Sequence, residues 1–197
     1  MLKLWDTRPV VGIVLFPLVE VLDFAGPYEV FACAADARGK ELFRVHTLAA
    51  AGEVACRGGL KVRPDYSLEK APGLDLIIVP GGPGARQPRK QKPVIDFLRE
   101  RAQSPAHIAS ACTGSFLLAA AGLLDGLEAT THGARLGELA KAFPRVKVKA
   151  QKIVDQGRVI TAGGVSSGID LALHLLEKYY GPEARAREAK RLEGPWQ

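Results

Sequence analysis

Cys112 stands where a chain can turn a sulfur into a nucleophile. The apolar run His107-Ile108-Ala109-Ser110-Ala111 leads into Cys112-Thr113-Gly114-Ser115 and then straight into Phe116-Leu117-Leu118-Ala119-Ala120-Ala121. That succession reads as strand, sharp turn, helix. A side chain held at such a turn sits at the carboxyl edge of a sheet and faces the first turn of the helix, whose free backbone N–H groups favour a nearby negative charge. The expectation is a thiolate, which is the reactive form of cysteine. Gly114 spares the tight turn a Cβ. The competing reading is an inert cysteine filling a core gap, and the two part company only if an acid or base lies close by.

The elements that must position this sulfur alternate along the chain. Val10 to Phe16 is a continuous apolar run rich in β-branched residues, as a strand buried on both faces requires. Asp23 follows it, and Pro27 at a first helical position would open a helix from Tyr28 to Ala37. Phe43 to Ala50 reads as a strand, Val54 to Val62 as a small hairpin around Gly58-Gly59, and Leu74 to Val79 as a buried strand that stops at Pro80 and opens into Gly81-Gly82-Pro83-Gly84. Helices are expected over Pro93 to Gln103, Ala134 to Ala142 and Ile169 to Tyr180. Thr130-Thr131-His132 reads as a strand end. Val146 to Lys149, Lys152 to Asp155 and Arg158 to Ala162 are short strands, the last two joined by Gln156-Gly157. Pro182 starts a charged terminal helix to about Leu192. This alternation implies an α/β fold, a parallel sheet covered on both faces with right-handed crossovers. In such sheets chemistry gathers beyond the carboxyl ends of the strands. Four segments fall there: Asp23, Gly81-Gly82, Cys112 and His132.

At 197 residues and 47% apolar content the chain suits one domain, with a core over about 10–180. Its net charge of +6 arises from 27 basic against 21 acidic residues. The excess is scattered over Arg86, Arg89, Lys90 and Lys92 and over Arg145, Lys147, Lys149 and Lys152. No aromatics interleave these charges, so a solvated surface is expected rather than a nucleic-acid face. The stretch Met1 to Asp6 lacks an apolar signal core, and Val10 to Leu22 is too short and too interrupted to span a bilayer, so a soluble, cytoplasmic protein is expected. Three cysteines, an odd count without short spacing, argue against a disulfide framework and against a zinc site of Cys-x-x-Cys type. Cys33 and Cys56 read as packing or surface residues without an acid partner, Glu29 as a surface or helix-contact residue, and His46, His107 and His174 as structural.

Taken in order, Leu22-Asp23-Phe24-Ala25-Gly26-Pro27-Tyr28-Glu29-Val30-Phe31, Val79-Pro80-Gly81-Gly82, Ala111-Cys112-Thr113-Gly114-Ser115, Ala121-Gly122-Leu123-Leu124, Ala129-Thr130-Thr131-His132 and Thr161-Ala162-Gly163-Gly164-Val165-Ser166-Ser167-Gly168-Ile169-Asp170 resemble the ThiJ/PfpI superfamily. Within it the likeness is to the isonitrile hydratase branch and to the sensor domains of AraC-type regulators. The resemblance implies a flavodoxin-like sandwich, usually a homodimer, with the cysteine as nucleophile and a carboxylic acid beside it, here Asp23. A carboxyl next to a thiolate can give a proton to the product of attack and take one from water. The alternative for Asp23 is a helix N-cap. Gly81 and Gly82 are then natural backbone donors for developing charge, joined by the N–H of Thr113 in an oxyanion-type hole. His132, 20 positions after Cys112, matches a histidine that several members place near the cysteine; proton relay and structural hydrogen bond remain equal readings.

The superfamily hosts several activities on one fold, so the site must decide among them. Protease-like and many glyoxalase-like members carry His directly after the nucleophile, where this chain has Thr113. None of the four histidines is followed two residues later by Glu, which argues against glutamine hydrolysis. The Cys-Thr-Gly-Ser turn with Asp23 resembles the isonitrile hydratases, which need neither metal nor organic cofactor. The alternatives are a stand-alone redox or ligand sensor and a glyoxalase or deglycase acting on methylglyoxal. With 16 residues after Gly181, no helix-turn-helix fits, and DNA binding is not expected.

Overall fold

The computed structural model describes residues 8–104 and 106–196. The N-terminal stretch read for a signal core lies outside them. Among the described residues eleven strands and six α-helices succeed one another: β1 Val10–Leu15, α1 Val21–Cys33, β2 Arg44–Ala49, β3 Val54–Ala55, β4 Lys61–Val62, β5 Tyr66–Ser67, β6 Leu76–Val79, α2 Lys92–Arg101, β7 His107–Ser110, α3 Ser115–Ala120, β8 Glu128–Ala129, α4 Leu136–Ala142, β9 Lys147–Val148, β10 Ile153–Gln156, β11 Val159–Ala162, α5 Ser167–Tyr180 and α6 Pro182–Arg191.

Seven strands form the central sheet in the order β10-β11-β7-β6-β1-β2-β5. All pairs are parallel except the β10–β11 hairpin at one edge. Every residue of β1 and β6 is buried, which a strand achieves only when both faces of the sheet are covered. Helices α1, α5 and α6 pack as one group and α2 with α3 as another. The α/β sandwich read from the alternation is therefore the architecture of the protein. The short β5, two residues long, carried no sequence signal.

Two expectations change. Pro27 does not open α1 but lies inside it, and Asp23 belongs to the first helical turn rather than to a loop. An interior proline forfeits one helical hydrogen bond. Here α1 crosses α5 at close range: a Cβ on Gly26 would lie 2.8 Å from Ile169 Cγ1, and one on Gly168 would lie 3.2 Å from Pro27 Cδ. Tertiary packing thus carries the helix through the proline. Secondly, β8 pairs with β9 in a separate two-stranded sheet. His132 therefore does not follow a strand of the central sheet.

The remaining polar residues behave as surface chemistry predicts. Arg145 pairs with Asp125 at 2.6 Å, Lys149 with Glu128 at 2.9 Å and Lys152 with Asp170 at 2.7 Å, and Lys92 pairs with Asp96. His107 Nδ1 bonds the Tyr179 hydroxyl at 2.8 Å, His174 Nε2 bonds Asp155 at 2.8 Å, and His46 packs edge-on against Tyr66. Cys56 is buried. Cys33, read as lacking an acid, instead sits 3.5 Å from Glu29 Oε1, one turn back on α1, and Glu29 in turn pairs with Arg191 of α6.

Candidate active site

The segment between β7 and α3 is a tight 3-10 turn over Cys112–Gly114. Cys112 has φ of 54°, a left-handed conformation that costs an L-residue roughly 1–2 kcal/mol. The surroundings impose it. The Cys112 N–H donates to Gly163 O at 2.7 Å, its carbonyl accepts from Thr131 Oγ1 at 3.0 Å, and the preceding Ala111 N–H donates to Val79 O at 3.1 Å. Gly114 is required by space rather than by torsion: a Cβ there would press into the carbonyl oxygen of Val79 and lie 2.8 Å from that of Pro80. The strained turn is thus locked between the ends of β6 and β11, and it aims one sulfur.

Asp23 reaches that sulfur from the first turn of α1. It is fully buried. Its Oδ2 accepts the Gly81 N–H at 3.0 Å, and its carboxyl lies close enough to the Cys112 side chain for each to shift the ionisation of the other. Oδ1 has no nitrogen or oxygen donor among the described residues. Burial raises the Asp23 pKa from 3.8 to about 7, against the opposing pull of Cys112 and the Gly81 N–H, with the Glu20 charge adding to the rise. A carboxyl poised near neutrality can both give and accept a proton.

The sulfur does not behave as the sequence suggested. Burial first, and the charge of Asp23 second, push the Cys112 thiol from 9.0 to about 11, although the Val165 and Thr113 N–H groups hydrogen-bond to it and pull the other way. The pull of the helix mouth toward a thiolate is therefore opposed by desolvation and by the neighbouring carboxyl, and α3 is only six residues long. Between about 7 and 11 the pair holds one negative charge and one proton. When the proton sits on Asp23, the charge that opposed the thiolate is gone. The acid that suppresses the nucleophile at rest is thus the group that releases it.

The two glycines serve differently from the oxyanion role assigned to them. The Gly81 N–H is taken by Asp23, and the Gly82 N–H donates to Thr113 Oγ1 at 2.9 Å while that hydroxyl donates to Gly82 O at 3.1 Å. Neither donor is free for a substrate. Both glycines instead permit contact: a Cβ on Gly81 would lie 2.7 Å from Thr113 Oγ1 and 2.9 Å from Asp23 Oδ2, and Gly82 has φ of 122°. Thr113 is the peg that holds this loop against the elbow, and its N–H faces the sulfur.

Val165 was not singled out in the sequence. Its N–H approaches the sulfur from the loop between β11 and α5, and its φ of 33° is strained for a β-branched residue. Its sequence signal is its place in the stretch Gly163-Gly164-Val165-Ser166, one of the segments that carry the resemblance. Gly164 is packed against His132: a Cβ there would lie 3.1 Å from His132 Cγ and closer still to Cδ2. His132 Nδ1 accepts the Ala134 N–H at 3.2 Å, capping a short turn. His132 thus has the structural bond, and it also borders the cleft above Cys112.

That cleft has a volume of about 200 Å³, and Cys112, Thr113, Val165, His132, Arg57, Arg86 and Arg135 are among the residues that line it. Cys112 lines this cleft and is 5% exposed, so its side chain is nearly dry. Among the described residues, no group of three or more His, Cys, Asp or Glu side chains is arranged to hold a metal ion. No helix of the described residues is long and apolar enough to cross a membrane.

The DJ-1/PfpI family matches residues 10–178. An isonitrile hydratase from Pseudomonas putida is 36% identical over 183 residues, covering 93% of this chain and 77% of that protein. The HTH-type transcriptional regulator GbdR from Pseudomonas aeruginosa is 34% identical over 178 residues, covering 89% of this chain but only 48% of the regulator. Among solved structures, a ThiJ/PfpI family protein from Pseudomonas syringae superposes with a TM-score of 0.85 at 24% identity, covering 97% of this chain and 77% of that one.

Proposed function

The chain belongs to the DJ-1/PfpI family, and we propose that it is a cysteine-dependent hydratase of isonitriles, yielding N-substituted formamides. The observation that carries this reading is the fully buried carboxyl of Asp23, fixed by the Gly81 N–H, beside a cysteine that lines a small cleft. Hydration of an isonitrile needs a soft nucleophile for a terminal carbon and one group that alternates between acid and base. The similarity to an isonitrile hydratase over most of both chains points the same way.

The sequence of steps uses these two groups alone. With its proton on Asp23, the pair presents a Cys112 thiolate, whose sulfur bonds to the terminal carbon of R–N≡C as Asp23 gives its proton to that carbon. The product is a thioimidate, R–N=CH–S–Cys112. Asp23, now a carboxylate, takes a proton from water as the hydroxyl adds to the same carbon, and passes that proton to nitrogen. Asp23 then removes the hydroxyl proton, the C=O bond forms, and the carbon–sulfur bond breaks. Formamide leaves, and thiolate and protonated Asp23 are restored. The Thr113 and Val165 N–H groups hold the sulfur in line and steady its charge.

The test is formamide formation from an aryl isonitrile, followed chromatographically with wild type, Cys112→Ser and Asp23→Asn, alongside lactate formation from methylglyoxal. Formamide lost in both variants supports the hydratase. Lactate without formamide supports a glyoxalase instead. The similarity to regulators favours a second reading, a ligand or redox sensor; that reading gains if neither product forms while Cys112 is readily oxidised by peroxide. A homodimer, a cytoplasmic location and a single-domain organisation are proposed with it, from the resemblance and the composition.

A further inference from the structure

The mouth of the cleft has an uneven charge balance. Arg86 lies in the turn that follows Gly81-Gly82, and Arg135 in the turn that follows His132. Both guanidinium groups reach the same oxygen, Glu138 Oε2, at 3.3 and 3.4 Å. Charge-assisted bonds of this type ordinarily close to about 2.7–2.9 Å, so one carboxylate holds two arginines loosely and neutralises only one. The third arginine of the mouth, Arg57, is matched by Glu20. Among the arginines and their carboxylates one positive charge is therefore left over, on Arg86 and Arg135 jointly, opposite the one negative charge held by the Asp23–Cys112 pair. Each guanidinium has five N–H donors and no acceptor. His132 adds to the same bias, since its Nδ1 is occupied as an acceptor and a neutral ring then carries its proton on Nε2.

We propose that Arg86 and Arg135 form a subsite for an anionic group, and that the natural ligand of this cleft is a small molecule with a carboxylate at one end and its reactive carbon at the other. Combined with the hydratase reading, on which this part rests, the substrate class is isocyano carboxylates. The cleft volume of about 200 Å³ admits a small ligand of this kind. Cys112, Arg86 and Arg135 line this one cleft, so a carboxylate held by the arginines would leave the opposite end of the ligand in the space that also holds Cys112.

Iodoacetate and iodoacetamide test the subsite without any assumption about turnover. They are nearly equal in shape and differ by one negative charge, and each alkylates a thiolate by forming a carbon–sulfur bond as iodide departs. The two rates are read by mass spectrometry at Cys112, with the exposed Cys33, beside Glu29, as the reference thiol in the same molecule. The iodoacetate-to-iodoacetamide ratio at Cys112 should exceed that at Cys33 by about tenfold at low salt, the lower end of what a focusing cleft does to encounter rates, and should shrink in high salt. Arg86→Ala and Arg135→Ala should each lower the ratio, and Glu138→Gln, which frees both arginines, should raise it. Equal ratios at the two cysteines, indifference to the arginine substitutions, a fall in Glu138→Gln, or no alkylation of Cys112 by either reagent overturns the subsite. Isocyanoacetate and its methyl ester, compared by kcat/KM, then test the substrate class. Ester and acid turned over equally well would sink the substrate class yet leave the hydratase standing. Charge selection in alkylation without any formamide would remove the hydratase yet leave the anionic subsite standing.

Discussion

Replacing Asp23 by Asn should move two properties of Cys112 in opposite directions. Asn keeps an oxygen for the Gly81 N–H, now 3.0 Å from Oδ2, and changes little else in size. It removes the carboxylate charge, the second cause that holds the Cys112 thiol at about 11 rather than 9.0. The full displacement between those values is about a hundredfold in thiolate fraction at a fixed pH below both, each step of one pH being tenfold. Burial is the larger cause and survives the substitution, so the gain must be less than that hundredfold. Alkylation of Cys112 by iodoacetamide at pH 7.5 should therefore speed up, with its pH midpoint moved toward lower pH. Isonitrile turnover should fall, by roughly 10²–10⁴-fold, because an amide can neither give nor take the proton the reaction needs. The assay pairs alkylation rates over pH 6–11 with formamide formation. Slower alkylation would refute the claim that Asp23 suppresses the thiolate, and undiminished turnover would refute its role as acid and base.

The same carboxyl should leave a mark on stability. The folded protein keeps the Asp23 proton up to about pH 7, whereas the unfolded chain releases it near 3.8. With the folded value raised, the stability linked to this proton is whole below 3.8 and is lost as pH climbs through about 7. Asp23→Asn should accordingly raise the melting temperature at pH 8 relative to wild type, with the gain fading toward pH 4, as thermal denaturation at both values will show. Gly114→Ala should cost about 3 kcal/mol or more, because the new methyl meets two backbone carbonyls, those of Val79 and Pro80, that cannot move without parting β6 from the elbow; urea titration measures the loss, and a change below 0.5 kcal/mol contradicts the packing. Thr113→Val should cost about 1–3 kcal/mol, since it strands the buried Gly82 N–H, and should also lower turnover by loosening the loop that carries Gly81; Thr113→Ser should restore most of both.

How far the site could be read in advance depended on whether its parts are close in the chain. The strand-Cys-x-Gly-helix succession around Cys112 is local, and a tight turn with a glycine two places on is dictated by sterics within a few residues. The alternation that yields a parallel sheet is likewise written in short apolar runs such as Val10 to Leu15 and Leu76 to Val79, both buried throughout. Asp23 was placed at the site by resemblance, and its position at the start of the first crossover was legible. That it lies inside α1, with Pro27 downstream in the same helix, was not, because the propensity of proline to break a helix is overridden by the glycine-mediated contact of α1 with α5.

What only the tertiary structure decided is where each polar group spends its hydrogen bonds. Gly81 and Gly82 look like free donors in the sequence, yet their N–H groups are taken by Asp23 and Thr113, which lie 58 and 31 positions away. The N–H that does reach the sulfur comes from Val165, on a strained loop more than fifty positions beyond Cys112. The ionisation of the sulfur follows the same rule: helix mouths are local and can be read from residue order, whereas desolvation and the charge of a partner across the core belong to the assembled fold. Sequence determined that this protein would present a cysteine at the edge of an α/β sheet; folding determined that its ionisation is set by burial and by one buried carboxyl.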